Sequence, residues 1–282
     1  MTATLRAPAK LNLCLYLGRR REDGLHELRS VFCPLLLSDR IEVTEAGGEG
    51  DEVVCRGVTG PNLVGVALEA MRARGWDHPP VRVEIDKRIP VAAGLGGGSA
   101  DAAAILRLAV GQLEDLPRLA EGLGADVPSQ LEPATALVSG AGEVVERLPA
   151  PGEFAVVMIP DDTGLSTADV YAEADSLGLG RDAAELELIG ERLRAAAGAG
   201  ASPLDYADLV VNDLEQAAVS LRPRIAEALA ALDEVGAERT LVAGSGPTAV
   251  GLFADLMSAD EASSALPPRY ANAIVSAPQR LR

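Results

Sequence analysis

The stretch at residues 90–104, PVAAGLGGGSADAAA, places four glycines in five positions and runs directly into an alanine-rich segment. It is preceded by VRVEID (81–86), whose alternation predicts a strand, and followed by SADAAAILRLA, which predicts an amphipathic helix over 99–110. Glycines at a strand-to-helix junction let the backbone turn tightly and let N–H groups converge at the positive end of the following helix, the arrangement that receives an anion. The loop is not a Walker motif, since no Lys-Ser/Thr follows the last glycine, and it is not GxGxxG, since Ser99 stands where the third glycine belongs. Ser99 is expected to cap the helix through its hydroxyl. Each glycine costs conformational entropy, so a plain connection does not account for four of them. The loop is read as a phosphate-binding loop.

Working outward, KLNLCLYL (10–17) alternates strictly and predicts a half-buried strand that displays Lys10 and Asn12 on one face. GRRREDGLHEL reads as a charged turn leading to strands at 30–37 and 40–45, and GGEGDE (47–52) as a loop. Helices are expected at 62–74 and 116–124 and a strand at 134–139. LPAPGE (148–153) suggests a boundary between halves 1–150 and 151–282. Beyond it come a strand (154–159), helices across 182–235, strands at 240–243 and 248–253, a helix near 258–265 and a strand at 271–276. That order contains β-α-β-β-α-β, the ferredoxin-like arrangement with helical insertions. The fold class is therefore α+β.

Composition narrows the function. The 282 residues carry a formal net charge of −17, which argues against nucleic acid or an anionic membrane as partner. Hydrophobic residues make up 48%, no apolar run is long enough to span a bilayer, and the N-terminus lacks the apolar stretch of a signal peptide, so a cytoplasmic protein is expected. Three cysteines without CxxC spacing and two histidines give neither a disulfide framework nor a metal site. Only two lysines, Lys10 and Lys87, stand among 23 arginines. A lysine kept in such a chain points to a need for a compact ammonium. Taken singly, other features have plain explanations: AGSGPT (243–248) as a hairpin turn, Asp126 as a helix cap before Pro128, His26 and His78 as surface turn residues.

Taken together they do not. PVAAGLGGGSA resembles the central motif of the GHMP superfamily, the kinases of galactose, homoserine, mevalonate and phosphomevalonate. PAKLNLCLYLGRRREDGLHEL (8–28), NL (62–63), LGADVP (123–128), STADVY (166–171), NDLEQAA (212–218) and GSGPT (244–248) are similar to landmarks of the same superfamily, in order and nearly end to end. They match most closely its branch that phosphorylates a small alcohol bearing cytidine diphosphate. The resemblance implies an N-terminal α/β half and a ferredoxin-like C-terminal half with the active site in the cleft between them. It also implies an ATP-dependent phosphotransferase with an alcohol acceptor, magnesium arriving with ATP and no metal site in the protein itself, as a monomer or homodimer. Lys10 and Asp126 become the catalytic pair. Asn62 joins residues 90–100 at the nucleotide, and Asn12, Leu25, His26, Phe32, Thr167, Tyr171, Gly244 and Ser245 fall where that branch meets its substrate. Two positions depart from its pattern: Leu25, where tyrosine is usual before the histidine of DGxH, and Ser129-Gln130, where apolar or aromatic residues follow ADVP. A homoserine- or mevalonate-type kinase is the nearest alternative, and a catalytically silent nucleotide-binding protein on the same scaffold a more distant one.

Overall fold

The computed structural model describes residues 2–58, 60 and 62–279. The elements, in chain order, are β1 (Ala3–Arg20), β2 (His26–Glu45), β3 (Glu52–Cys55), α1 (Leu63–Ala73), β4 (Val81–Asp86), α2 (Gly97–Leu106), α3 (Leu116–Leu123), α4 (Val127–Leu131), β5 (Ala136–Gly140), β6 (Val144–Arg147), β7 (Ala155–Ile159), α5 (Thr167–Leu177), α6 (Ala183–Gly198), α7 (Glu215–Leu221), α8 (Arg224–Glu234), β8 (Arg239–Val242), β9 (Ala249–Phe253), α9 (Leu256–Ala265) and β10 (Ile274–Ser276). Packing divides the chain into two compact units that interleave along the sequence: 1–10, 37–91 and 96–133 form one, and 11–36, 92–95 and 134–282 the other. A cut at 150 divides the chain by order, whereas these units divide it by packing.

In the first unit β2 and β4 pair antiparallel from Arg40↔Asp86 to Glu45↔Val81, and β3 adds to β4 in parallel. Helix α1 begins at Asn62, whose side chain accepts from Val64 N, and buries Val64, Ala67, Leu68 and Met71 at helical spacing. These meet Ile41, Val43, Val81, Val83, Ile105 and Leu106 in one core. Helix α2 is buried along nearly its whole length, and its run of alanines lets α1 and α4 approach closely.

In the second unit β7, β8, β9 and β10 form an antiparallel sheet in the order β10-β7-β9-β8. With α8 before β8 and α9 between β9 and β10, this is the expected ferredoxin-like arrangement, the helices α5–α8 filling the first crossover. Ala155, Val157, Ile159, Leu232 and Phe253 make its core, with Ala259 and Ala262 of α9. The first half of β2 pairs with β5, from Leu28↔Gly140 to Phe32↔Ala136, and β5 with β6.

Several expectations are corrected. The segment around Lys10 is part of an 18-residue strand with residues 7–18 buried on both faces, because β1 is covered as well as paired. The two strands expected at 30–37 and 40–45 are one continuous β2. The turn is shorter than expected, spanning 21–25. STADVY opens a helix, capped by Ser166 onto Asp169 N and closed by Gly178 in the left-handed region. Short strands β3 and β6 lie where none was expected. Among the described residues no helix is long and apolar enough to cross a membrane.

Candidate active site

Strand β1 carries Lys10 into the first unit with only 6% of its surface exposed. Its Nζ lies 3.3 Å from Asp126 Oδ2. Asp126 stands at the N-cap of α4, but its carboxylate makes no capping hydrogen bond; it is turned to the lysine, with about a third of its side chain open to solvent. The plain explanation of Asp126 as a cap therefore fails. The Ser129 hydroxyl donates to Asp126 O at 2.8 Å, a bond back to the turn rather than a cap, and Gln130 is buried with its backbone carbonyl accepting from Arg107. Of the two departures after ADVP, the Ser129 side chain bonds back to the turn that presents Asp126, whereas Gln130 contributes its backbone carbonyl.

The stem of Lys10 also touches the glycine loop. A Cβ on Gly96 would fall 2.8 Å from Lys10 Cγ, and Gly96 has φ 67°, so this position excludes a side chain on two counts. Gly96 is the N-cap of α2, which corrects Ser99: the serine sits inside the first turn, and the cap residue brings no side chain. Positive φ recurs at alternate residues, Ala92 (54°), Gly94 (77°) and Gly96 (67°). Such alternation turns successive N–H groups to one side, a backbone nest suited to an anion. Ala92 holds this conformation without glycine's freedom, a cost tolerated where the backbone shape matters. Gly98 is exposed, and a Cβ there would meet no atom within 4 Å.

Of the other expected nucleotide contacts, Ala93 and Leu95 are buried and anchor the loop, Val91 is largely exposed, Pro90 is half-buried, and Ala100 is buried in α2. Asn62 holds the start of α1 through its side chain.

In the second unit His26 is buried, against its reading as a surface turn residue, and its Nε2 lies 2.8 Å from Asp175 Oδ1. The Tyr171 ring tilts at 46° to the imidazole with centroids 5.2 Å apart. Leu25, beside His26 in sequence, is 54% exposed. Thr167 and Ser245 bond through their hydroxyls at 3.0 Å, joining the start of α5 to the GSGPT turn. Asn12 is buried and donates to Ser30 Oγ at 2.8 Å. Phe32 packs with Leu28, Ala136 and Val138. Gly94 approaches the GSGPT turn so closely that a Cβ would lie 2.1 Å from Ala243 O.

Reading the sequence missed the residues that hold these loops. Asn212 donates from one amide nitrogen to Val242 O and Gly244 O, both at 2.7 Å, and accepts from Leu214 N. Its motif, NDLEQAA, stands out in the sequence only through the family resemblance. Asp39, wholly buried, accepts from Arg88 N (2.6 Å), Ile89 N (2.8 Å) and the ammonium of Lys87, fixing the segment that enters the glycine loop. The scarcity of lysine was the one signal for Lys87.

Comparison with known proteins agrees with this geometry. Residues 62–130 match the family model described as GHMP kinases N terminal domain, and residues 186–272 that described as GHMP kinases C terminal. The 4-diphosphocytidyl-2-C-methyl-D-erythritol kinase of Streptomyces coelicolor is 40% identical over 280 residues, spanning 94% of this chain and 92% of the relative. The enzyme of the same name from Mycobacterium tuberculosis H37Rv is 40% identical over 279 residues, spanning 94% and 86%. A crystal structure of 4-(cytidine 5'-diphospho)-2C-methyl-D-erythritol kinase superposes with a TM-score of 0.77 at 35% identity, over 99% of this chain and 100% of that one. Leishmania major mevalonate kinase, at 16% identity and a TM-score of 0.70 over 99% and 96%, shares the fold. The chain belongs to the GHMP kinases and, among them, to the 4-diphosphocytidyl-2-C-methyl-D-erythritol kinase family.

Proposed function

We propose that the chain transfers the γ-phosphoryl group of ATP to the 2-hydroxyl of 4-diphosphocytidyl-2-C-methyl-D-erythritol, a step of the non-mevalonate route to isoprenoid precursors, in the cytoplasm. The observation that carries this reading is the Lys10–Asp126 pair lying against Gly96 of a nest-shaped loop. Asp126 accepts the proton of the attacking hydroxyl. Lys10, its ammonium 3.3 Å from that carboxylate, steadies negative charge on the phosphoryl group in flight. The loop's N–H groups and the positive end of α2 hold the phosphates. Magnesium is assigned to the nucleotide, where it would offset the charge of the phosphates.

Tyr171 and the His26–Asp175 pair are assigned to the cytosine base, with Leu25 covering one ring face by apolar contact. Asn12, Phe32, Thr167, Gly244 and Ser245 are assigned to the same substrate, and Asn62 to the nucleotide. In sequence order, residues 1–150 are assigned to the N-terminal kinase half and 151–282 to the C-terminal one.

The test is turnover of purified protein with ATP, magnesium and a panel of alcohols, the cytidine-bearing alcohol beside homoserine and mevalonate, following ADP release. Asp126→Asn and Lys10→Ala are each expected to lower kcat at least about a hundredfold, as for loss of a positioned base or charge stabiliser. Near-normal turnover by a folded Asp126→Asn enzyme refutes the mechanism, and preference for another alcohol refutes the substrate.

A further inference from the structure

Lys87 is the second of the chain's two lysines, and its surroundings are unusual for a surface-forming residue type. Its Nζ donates to Asp39 and, at 2.9 Å, to Asp101 Oδ2. The side chains of Asp39 and Asp101 are 0% and 4% exposed and that of Lys87 14%. Asp101 lies in the first turns of α2, and its second oxygen, Oδ1, is buried without a hydrogen-bond partner. Both carboxylates bond the same Lys87 nitrogen, which holds them close together. With both ionised, two negative charges share one ammonium, and a single buried negative charge is left over. Burying such a charge uncompensated is costly, and a proton taken up by Asp101 removes it.

This cluster adjoins the glycine loop. A Cβ on Gly97, the first residue of α2, would lie 3.2 Å from Lys87 Nζ, and Asp101 is one turn further on, about 6 Å along the axis. The groups facing Asp101 from neighbouring elements can be named. Asp39 comes from β2, Lys87 from the end of β4, and the Cys55 thiol from β3, which feels all three charges. Helices α1, α3 and α4, which pack on α2, bring the apolar Val64, Ala67, Leu68, Leu119, Ala120 and Val127 to the same core. Lys10 on β1 and Asp126 before α4 compensate each other in a separate pair against Gly96.

We propose that binding of a nucleotide's phosphates at the glycine loop is coupled to uptake of a proton by the Asp39–Asp101 pair, so that the cluster beneath the loop turns from net negative to neutral as the anion arrives. The proposal rests on the reading of the loop as a phosphate site. Burial and the nearby Asp39 charge raise the Asp101 pKa to about 7 against the pull of Lys87. Asp101 is therefore poised to change protonation near neutrality, and a second negative charge close by raises its proton affinity further. Asp101 acts through Lys87 and the loop and is a positioning residue.

The experiment is calorimetric titration of the full chain with a non-hydrolysable ATP analogue and magnesium at pH 8. It is run in buffers of different ionisation enthalpy, for the wild type and for Asp101→Asn, which keeps the shape and removes the titration. Protons exchanged by the analogue itself are common to both proteins and cancel in the difference. The wild type is expected to take up several tenths of a proton more per site than Asp101→Asn, a difference that vanishes at pH 5.5, where the pair is already protonated. Its affinity is expected to fall roughly three- to tenfold from pH 7 to 8.5, with a flatter profile in the variant. Equal proton counts at pH 8 overturn the inference while leaving the phosphate site standing. Absence of analogue binding to the wild type overturns the phosphate site and the inference with it. Should Asp101→Asn fail to fold, infrared difference spectra of the wild type decide: a protonated-carboxyl band gained on analogue binding at pH 8 supports the proposal, and its absence overturns it.

Discussion

Gly98→Ala separates what the glycine loop does for the fold from what it does for a ligand. Gly98 is the second residue of α2, exposed, with helical rather than left-handed backbone, and a built Cβ touches nothing within 4 Å. Within the protein alone the methyl group is free of steric cost. Alanine also loses less backbone entropy than glycine in a helix, by about 1 kcal/mol at an interior position and less in the first turn. The variant should therefore be as stable as the wild type or more stable by about 0.5 kcal/mol. If phosphates approach the N–H groups of the first turn, the same methyl occupies their path, and nucleotide affinity should fall at least about tenfold, equivalent to about 1.4 kcal/mol. Thermal unfolding without ligand and calorimetric titration with an ATP analogue measure the two effects separately. Unchanged affinity in a variant of undiminished stability would falsify the assignment of α2's first turn to phosphate. Neighbouring glycines serve as controls with the opposite signature. At Gly94 an added Cβ would overlap Ala243 O and must hold φ 77°, so Gly94→Ala should lose stability first. At Gly97 the added atom points inward, 3.0 Å from Ile89 Cγ2 and close to Lys87, so a bulky residue there disturbs the core as well as any ligand.

Leu25→Tyr should lower KM for the cytidine substrate about two- to tenfold, from an aromatic contact worth roughly 0.5–1.5 kcal/mol, and leave KM for ATP unchanged; Tyr171→Ala should raise the former, and steady-state kinetics showing neither removes cytosine from this site. Asn212→Ala strips two carbonyls of their donor and leaves Leu214 N without its acceptor. It should destabilise the protein by about 2 kcal/mol or more in urea unfolding, whereas a loss within error means the turn at 243–248 is held otherwise. The raised pKa of Asp101 means that between pH 4 and 7 the native state binds more protons than the unfolded chain, so stability falls as pH rises through that window. Relative to Asp101→Asn, the wild type should lose up to about 4 kcal/mol from pH 4 to 7, at about 1.4 kcal/mol per pK unit; parallel stability profiles would show that the aspartate does not titrate there.

What could be read from the sequence was whatever has a local cause. The four glycines fixed the loop, the alternation of VRVEID gave β4, and the strand–helix order after 151 gave the second sheet. Lys10 and Asp126 came from the family resemblance, and the structure brings them to 3.3 Å. The misses have long-range causes. Strand β1 looked half-buried because alternation reports one covered face, whereas Tyr16, for example, is buried with its hydroxyl donating to Leu209 O, 193 residues away. Asp126 has every local property of a cap, and only a lysine 116 positions earlier turns it aside. Asp39 sits in SDRIEV, where an acidic residue in a strand carries no mark of the backbone N–H groups of Arg88 and Ile89 that it accepts from. Interactions of that kind are specified by topology, which the pattern of one segment does not contain.

The interleaving of the two packing units bears on how such chains can be recombined. Residues 10 and 11 adjoin in β1 yet belong to different units, and the remaining divisions fall after 36, 91, 95 and 133. Exchanging one packing unit with a relative therefore takes five crossovers, and a single exchange near 150 transplants fragments of the second unit along with the first. A gene fragment ending there would carry Leu15, whose N–H and C=O bond to Val211 and Asp213 in the complete chain, without its partner. An unpaired strand edge of that kind invites association between copies. Chimaeras of this family are best built with breakpoints that respect packing, and truncation products are best screened for aggregation before they are screened for activity.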